Sequence, residues 1–350
     1  MKRRNRRTPA AILCFDPHLS KDNTELVTGL FNQVFDIAEE IKCENIIIGG
    51  DVFTSRSAQP LEVLDTWKSI TNEGKKRGVS IIAIPGNHDK TDPNKDRSYL
   101  SVCGGKAIVV SSPEEIVLNG VSFVLIPYYG DDKWLAENER ILSELEDDVK
   151  ARFLVTHIAV EGVRNNDGTQ VESDIKSDMF SDYDAVFVGH YHNASQVGDK
   201  VYYLGSMYQG NFGENVNDKG VTIVYDDGTW EHVALNFPKY VRETVEATDF
   251  ASLKNILDKY SGETVDRVRI VVTGQKADCE KLNTSQFSAA GIEIKFQPDE
   301  MVAAMNSADE ADKITVFQKS SIVKQFLEFC KERDIRGERM KEGLAMLKEL

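Results

Sequence analysis

The chain has 350 residues, of which 41% are hydrophobic and 28% are charged, and its formal net charge is −15 at pH 7. This length predicts two domains with additions rather than one small core. The negative charge argues against a protein that coats nucleic acid along its whole surface, but it leaves room for a local basic or metal-filled groove.

The first part of the chain alternates between apolar runs and amphipathic helical patterns. The runs AAILCF, NIIIGG and VSIIAIPG are rich in Ile and Val and are typical of buried strands. Between them, residues 24–41 and 61–77 carry apolar side chains at helical spacing. The alternation predicts a mostly parallel sheet covered by helices.

Further strands follow this alternation. EEIVLNGVSFVLIP predicts a hairpin that turns at Asn119-Gly120, and GVTIVYDDGTWEHVAL predicts a second one at Asp227-Gly228. ARFLVTHI, DAVFVGH and KVYYLGSM predict three strands between the hairpins. So many strands predict an α/β fold in which two packed mixed sheets are flanked by helices.

The pattern changes after NFPKY, where VRETVE, FASLKNILDKY, DRVRIVVTG and IEIKFQP predict a small α/β domain. We therefore predict a core domain at 1–237, the small domain at 238–300, a linker at 301–318 and a helical segment at 319–350. The helical segment contains two short amphipathic stretches broken near DIRG. These stretches pack either on their own chain or on a partner, and their narrow apolar stripes favour a partner.

Neither end of the chain predicts a targeting or membrane segment. The basic start MKRRNRRTPA precedes only a short apolar run, and no run approaches the ~18 residues of a membrane span. The basic start is interpreted as a flexible tail, with phosphate contact as the alternative. Because the five cysteines are scattered and lack a C-x-x-C pair, we expect neither disulfides nor cysteine zinc sites, and a reducing cytoplasm.

Five of the six histidines follow predicted strands, next to Gly, Asp or Asn. They lie in DPH (16–18), NHD (87–89), TH (156–157) and GHYH (189–192), and Gly50-Asp51 ends another strand. One such histidine alone is more often a core or surface residue than a metal ligand. Five at the ends of parallel strands predict a common site, because open α/β sheets place their chemistry at that edge.

These residue types suit a pair of divalent cations. Two cations about 3.5–4 Å apart need a shared anionic bridge and mixed oxygen and nitrogen ligands. The i, i+2 spacing of Asp16 and His18, and of His190 and His192, places each pair on one side of an extended chain. His232, inside the last hairpin, is predicted to be a structural or surface residue.

The motifs D-x-H, GD, GNHD, a single H and GHxH, in this order, resemble those of the calcineurin-like metallophosphoesterases. The resemblance implies that four side chains hold one cation: Asp16, His18, Asp51 and His192. The second cation would share Asp51 as the bridge and have three further ligands: Asn87, His157 and His190. It also implies that His88 approaches the phosphoryl group without binding metal, and that Asp89 orients its imidazole.

Three segments are similar to the SbcD-type nuclease subunit of double-strand-break repair complexes and to its phage recombination counterparts. They are GGDVFTSRSAQP, LIPYYGD and YYLGSMYQGNFGENVNDKGV. The resemblance implies a DNA nuclease for recombination and repair, exonucleolytic on ends and endonucleolytic on single strands. It further implies two divalent ions, with Mn²⁺ as the first choice, a homodimer, and an SbcC-type coiled-coil ATPase on the C-terminal helices. The small domain would be a cap, and a phage-encoded chain would act in the host cytoplasm.

Two other functions remain open from the sequence. A small-molecule phosphodiesterase or nucleotidase would use the same ligands but would need neither the small domain nor the C-terminal helices. A non-catalytic scaffold would be expected to lack some ligands, whereas all seven and His88 are present.

Overall fold

The computed structural model describes residues 7–145, 148–165, 169–261 and 266–299. The chain divides into two compact units, with the break between Tyr240 and Val241. The sequence prediction places this break at 237/238. The predicted linker at 301–318 and the helical segment at 319–350 lie outside the described residues.

The first unit contains twelve described strands, two of which the sequence analysis did not predict. In chain order they are β1 (Pro9–Cys14), β2 (Asn45–Gly49), β3 (Ser80–Ile84), β4 (Ile108–Val109), β5 (Glu114–Leu118), β6 (Val121–Ile126), β7 (Ala151–Thr156), β8 (Ala185–Val188), β9 (Ser195–Val197), β10 (Val201–Tyr203), β11 (Gly220–Tyr225) and β12 (Trp230–Ala234). The missed strands, β4 and β9, have only two and three residues, too few for a periodic pattern.

These strands form two six-stranded mixed sheets. The first has the order β12-β11-β1-β2-β3-β4 and the second has the order β5-β6-β7-β8-β10-β9. In the first sheet β1, β2, β3 and β4 run parallel, and β11 joins antiparallel to β1. In the second sheet β6, β7 and β8 run parallel. Both predicted hairpins are confirmed, as β5 pairs antiparallel with β6 and β11 with β12.

Helices cover the outer faces of the two sheets. The helices of the first unit are α1 (Thr24–Ile41), α2 (Leu61–Lys76), α3 (Tyr99–Cys103) and α4 (Asp131–Leu142), with a 3₁₀ turn at Ser177–Phe180. Helix α1 has the predicted bounds, and α2 ends one residue before the predicted end. The apolar face of α1 is buried because its large side chains recur every three to four residues.

The core of the first unit lies in three layers. One apolar cluster lies between the first sheet and helices α1 and α2, where Phe35 and Trp67 are buried. A second fills the space between the sheets, where Leu13 of β1 belongs to the same cluster as Phe153 of β7. A third includes Trp134 of α4 and covers the outer face of the second sheet. The predicted class, two packed mixed sheets flanked by helices, is therefore confirmed.

The second unit has its own small core. Apart from Tyr240, which ends the first unit, its described elements are β13 (Tyr240–Glu246), α5 (Phe250–Tyr260), β14 (Arg267–Gly274), α6 (Lys276–Lys281), α7 (Ser285–Ala289) and β15 (Glu293–Pro298). The three strands form a sheet in the order β13-β14-β15. Leu253 of α5 and Phe287 of α7 are buried against it. No helix in the described ranges of either unit is long and apolar enough to cross a membrane.

Truncation of Trp67 tests the outer core of the first sheet. The indole is fully buried, with ring centroids 6.2 Å from Phe31 and 6.3 Å from Phe53. Trp67→Ala is expected to lower the free energy of unfolding by about 3–5 kcal/mol, since it removes apolar contacts and leaves a cavity. Chemical unfolding followed by the fluorescence of the other two tryptophans, which are both in the first unit, measures this loss.

The control for this change is Leu61→Ala, because Leu61 is also on α2 but is 72% exposed. That variant should stay within about 0.5 kcal/mol of the wild type. Equal destabilisation by the two substitutions would contradict the packing described for this layer.

Candidate metal centre

The predicted site residues come from the ends of five strands in both sheets. Asp16 and His18 follow β1, Asp51 follows β2, and Asn87 follows β3. The second sheet contributes three side chains after β7 and β8: His157, His190 and His192. Most of them line one cavity of about 390 Å³, and the buried Asn87 and His157 contact the lining residues His190 and Asp51. The structure thus brings together all seven predicted ligands.

The first group of donors consists of Asp16, His18 and His192, whose ligand atoms all lie within 4.8 Å of one another. The Nε2 atoms of the two histidines are only 2.9 Å apart, and His18 Nε2 is 3.8 Å from Asp16 Oδ1. Two imidazole nitrogens and a carboxylate oxygen that face one point form a donor set suited to a borderline divalent cation. This group fits the first predicted ligand set.

The second group consists of Asp51, His157 and His190, again within 4.8 Å. Asn87 Oδ1 lies 3.0 Å from His157 Nε2 and 3.0 Å from His190 Nδ1, so the amide belongs to the same group. With its oxygen inward, the amide adds a lone pair to those of the two rings, which suits a cation. With the amide turned, its NH₂ would donate to both rings and its oxygen would accept from Arg56.

Asp51 lies between the two groups. Its Oδ2 is 3.6 Å from His18 Nε2 in the first group and 3.3 Å from His157 Nε2 in the second. Its Oδ1 accepts a hydrogen bond of 2.8 Å from the His88 amide. Burial favours the neutral form of Asp51, but the imidazoles, led by His157, outweigh it and lower the pKa of Asp51. An ionised carboxylate in this position is the bridge that two adjacent cations require.

The two histidines of the second donor group, His157 and His190, have pKa values shifted in opposite directions. Burial lowers the pKa of His157, yet the charge of Asp51 opposes burial and raises that pKa to about 9. For His190, burial and then the neighbouring charge of His157 lower the pKa to about 3. In the metal-free protein His157, beside Asp51, therefore holds a proton more strongly than His190 does. A divalent cation there would replace that proton, because a histidine ligand must be neutral.

The backbone at the site is conformationally strained. Four of the predicted ligands have positive φ: Asp16 (51°), His18 (45°), Asp51 (51°) and His190 (86°). Such conformations cost about 1–3 kcal/mol each for residues with side chains and are concentrated at functional sites. Gly86 allows the strand ends to approach, since a Cβ at this position would lie 2.3 Å from the Asp51 nitrogen. The strain aims the side chains into the cavity at an energetic cost to the fold.

His88 lies at the cavity with its Nε2 3.9 Å from Asp51 Oδ2. Its Nδ1 contacts the Thr54 carbonyl, which requires the Nδ1 proton and leaves Nε2 directed at the cavity. The prediction that Asp89 orients this imidazole is wrong. The fully buried Asp89 carboxylate accepts hydrogen bonds from the amides of Val52 (3.2 Å), Phe53 (3.0 Å) and Gly86 (2.9 Å).

Asp89 consequently has a structural role at the site. Its carboxylate joins the loop after β2, through Val52 and Phe53, to the loop after β3, through Gly86. These two loops position Asp51, Asn87 and His88. The prediction failed because backbone amides, two of them from the loop after β2, take the role of hydrogen-bond partner that it gave to the imidazole: they donate to the carboxylate and satisfy it.

Glu214 and Lys219 were not among the predicted site residues. The buried Glu214 carboxylate lies 3.0 Å from His192 Nδ1 through Oε1 and 3.3 Å from Lys219 Nζ through Oε2. The Lys219 ammonium also donates to the His192 carbonyl. A carboxylate on Nδ1 fixes the tautomer in which Nε2 presents its lone pair to the cavity. Both residues lie in the segment YYLGSMYQGNFGENVNDKGV, for which the sequence predicts no site residue.

Glu214→Gln is expected to weaken metal binding by about 10- to 100-fold, since the outer partner of a histidine ligand sets its orientation and basicity. Titration calorimetry with Mn²⁺ measures this loss. Glu144→Gln is the control, because Glu144 is exposed and pairs with Arg140 away from the cavity. An affinity equal to that of the wild type in the Glu214 variant would show that His192 needs no such support.

A two-sheet α/β sandwich whose strand ends gather carboxylates, imidazoles and an amide defines a metal-dependent phosphoesterase. The family model for calcineurin-like phosphoesterases matches residues 14–194, and the chain belongs to this family. The curated protein named "Putative phosphoesterase 078R" of Invertebrate iridescent virus 3 is 22% identical over 271 residues, which are 74% of this chain and 74% of that protein. The chain is also similar to the crystal structure of the Pseudomonas putida nuclease MPE, with 16% identity and a TM-score of 0.30 over 64% of this chain and 88% of that chain.

Proposed function

We propose that the chain is a two-metal phosphodiesterase that cuts DNA, exonucleolytically at ends and endonucleolytically on single strands. The observation that carries the proposal is the pair of donor groups that meet at Asp51, one with His18 and the other with His157. A shared carboxylate between two such groups supports in-line displacement at phosphorus, where both the attacking and the leaving oxygen need stabilisation.

The seven predicted ligands would hold two divalent cations, with Asp16, His18 and His192 on one side of Asp51. Asn87, His157 and His190 would hold the other. When bound, the cations neutralise the phosphodiester and make water a stronger nucleophile. Manganese is our first choice, and ligands of these types would also accept zinc, iron or magnesium.

His88 has the geometry of a proton donor or charge-stabilising group. The Thr54 carbonyl accepts from its Nδ1, so that Nε2 faces the cavity beside Asp51 and is not needed as a ligand in either donor group. In its protonated, imidazolium form this ring can donate from Nε2 to a leaving oxygen or stabilise its developing charge. Its side chain is 29% exposed, so a substrate can reach it from solvent.

The choice of DNA rests on three segments that are similar to those of SbcD-type nuclease subunits: GGDVFTSRSAQP, LIPYYGD and YYLGSMYQGNFGENVNDKGV. On the same ground we propose a role in recombination and repair as a homodimer. An SbcC-type coiled-coil ATPase would bind the segment 319–350, which lies outside the described residues. ATP-driven access to DNA would come from that partner, since this chain has no P-loop motif.

A direct test offers the protein linear duplex DNA, single-stranded DNA and a small chromogenic phosphodiester, each with and without Mn²⁺. The proposal predicts Mn²⁺-dependent shortening of the duplex and cutting of the single strand. The cavity of about 390 Å³ could also hold a small phosphodiester. Turnover of the chromogenic diester with both DNA substrates left intact would therefore overturn the nuclease proposal in favour of a small-molecule phosphodiesterase.

A further inference from the structure

Beside the predicted ligands lies a cationic side chain that no step above uses. Arg56 is exposed, and its Nη2 is 3.4 Å from His88 Nε2. The Asn87 amide lies against the same guanidinium. Within the described part of the chain, the Arg56 guanidinium thus contacts an imidazole and an amide, neither of which is an anion. Its charge is directed at the place where an anionic substrate would meet His88.

The loop that carries Arg56 is held in place. The Tyr99 hydroxyl donates to the Arg56 carbonyl over 3.2 Å, which ties this loop to the segment after β3. One residue earlier, Ser55 Oγ accepts from the amide of Ala58 over 3.3 Å and closes a local turn. A guanidinium on an anchored loop loses less conformational entropy when it binds a phosphate than one on a free loop.

An aromatic side chain lies beside the second donor group, against the rings of His157 and His190. The Tyr128 ring is partly exposed and nearly parallel to that of His190, with an interplanar angle of 25° and centroids 6.4 Å apart. The Pro85 carbonyl accepts from its amide over 2.9 Å, and Lys90 donates to its carbonyl over 2.6 Å. Arg56 and Tyr128 approach the same donor group, since the Asn87 amide that lies against the guanidinium is 3.0 Å from His190 Nδ1 and the Tyr128 ring faces that of His190.

We propose that Arg56 and Tyr128 together bind one nucleotide of the substrate next to the metal centre. The Arg56 guanidinium donates to a non-bridging oxygen of the phosphate that also meets His88, and the Tyr128 ring stacks on the attached base. Guanidinium groups match phosphate oxygens in charge and geometry, and every base offers a face to an aromatic ring. This inference rests on the proposed function and deepens it, because it requires a nucleotide rather than any phosphodiester.

The test compares two chromogenic diesters with the same leaving group. One is the para-nitrophenyl ester of thymidine monophosphate, and the other is methyl para-nitrophenyl phosphate, which has no base. Arg56→Gln should lower kcat/KM for both by about 10- to 100-fold, mainly through KM, and Arg56→Lys should recover part of this loss. Tyr128→Ala should lower the ratio of kcat/KM between the nucleoside and the methyl ester about tenfold, whereas Tyr128→Phe should keep the ratio.

Tyr191→Ala is the matched control, because Tyr191 also contacts the His190 ring, with centroids 4.9 Å apart, but packs into the core against Tyr203. If an aromatic side chain acted only through His190, its removal would lower kcat/KM for both esters by the same factor and leave the ratio between them unchanged. Metal content, measured for every variant, should equal that of the wild type.

An unchanged KM in Arg56→Gln, or an unchanged ester ratio in Tyr128→Ala, would overturn the inference while leaving the nuclease proposal standing. A metal-loaded wild-type protein that turns over neither ester nor DNA would overturn the proposed function, and the inference with it.

Discussion

Asp51→Asn is expected to remove phosphodiesterase activity by a factor of about a thousand or more and to abolish binding of at least one cation. Asp51 is the carboxylate that lies within 3.6 Å of His18 and 3.3 Å of His157, so both donor groups depend on its charge. An amide of the same shape keeps an oxygen but cannot neutralise two cations. Electrostatic stabilisation by metals is worth several kcal/mol in the transition state, which corresponds to the expected factor.

Metal content by elemental analysis, with activity on a chromogenic diester, measures both effects. Mn²⁺ should also raise the midpoint of thermal unfolding of the wild type, because a ligand that binds only the folded state stabilises it, and this rise should shrink in the variant. Asp65→Asn, an exposed change on α2, should behave as the wild type. Two bound cations in Asp51→Asn would contradict the bridging role.

His88→Ala is expected to leave metal content near that of the wild type while turnover falls by about 10²- to 10⁴-fold, the usual contribution of a positioned acid or base. The reason is geometric. The seven other side chains complete both donor groups, and Thr54 directs Nε2 of His88 towards the space that the substrate would occupy.

The matched control is His232→Ala, because His232 is exposed on β12 and is not one of the predicted site residues. Its activity should equal that of the wild type. His88 also lies within 4.8 Å of ligand atoms of His18 and Asp51, so a ligand role for it has a distinct signature. Loss of a cation together with turnover in His88→Ala would make His88 a ligand and remove it from proton transfer.

The convergence of the ligands could be predicted from sequence because each lies directly after a run that must be a buried strand. Parallel strands bring their carboxyl ends to one edge, so DPH, GD, GNHD and GHYH were expected to meet there. The extent of helix α1 was also predictable, since its buried residues recur every three to four positions.

The remaining features depend on contacts that no local pattern encodes. The role of Asp89 was missed because its partners are the backbone amides of Val52, Phe53 and Gly86, and any residue type except proline supplies such a donor. Glu214 reaches His192 only after a long loop returns to the cavity. Positive φ at His18 and His190 follows no local sequence pattern, since only a few per cent of non-glycine residues adopt it.

An anomalous difference map from crystals of the wild-type protein grown with Mn²⁺ would locate the cations directly. A metal pair bridged by Asp51 predicts two peaks about 3.5–4 Å apart on either side of the Asp51 carboxylate, one beside His18 and His192 and one beside His157 and His190. A map with no peak at Asp51, or with manganese bound only elsewhere on the chain, would contradict it.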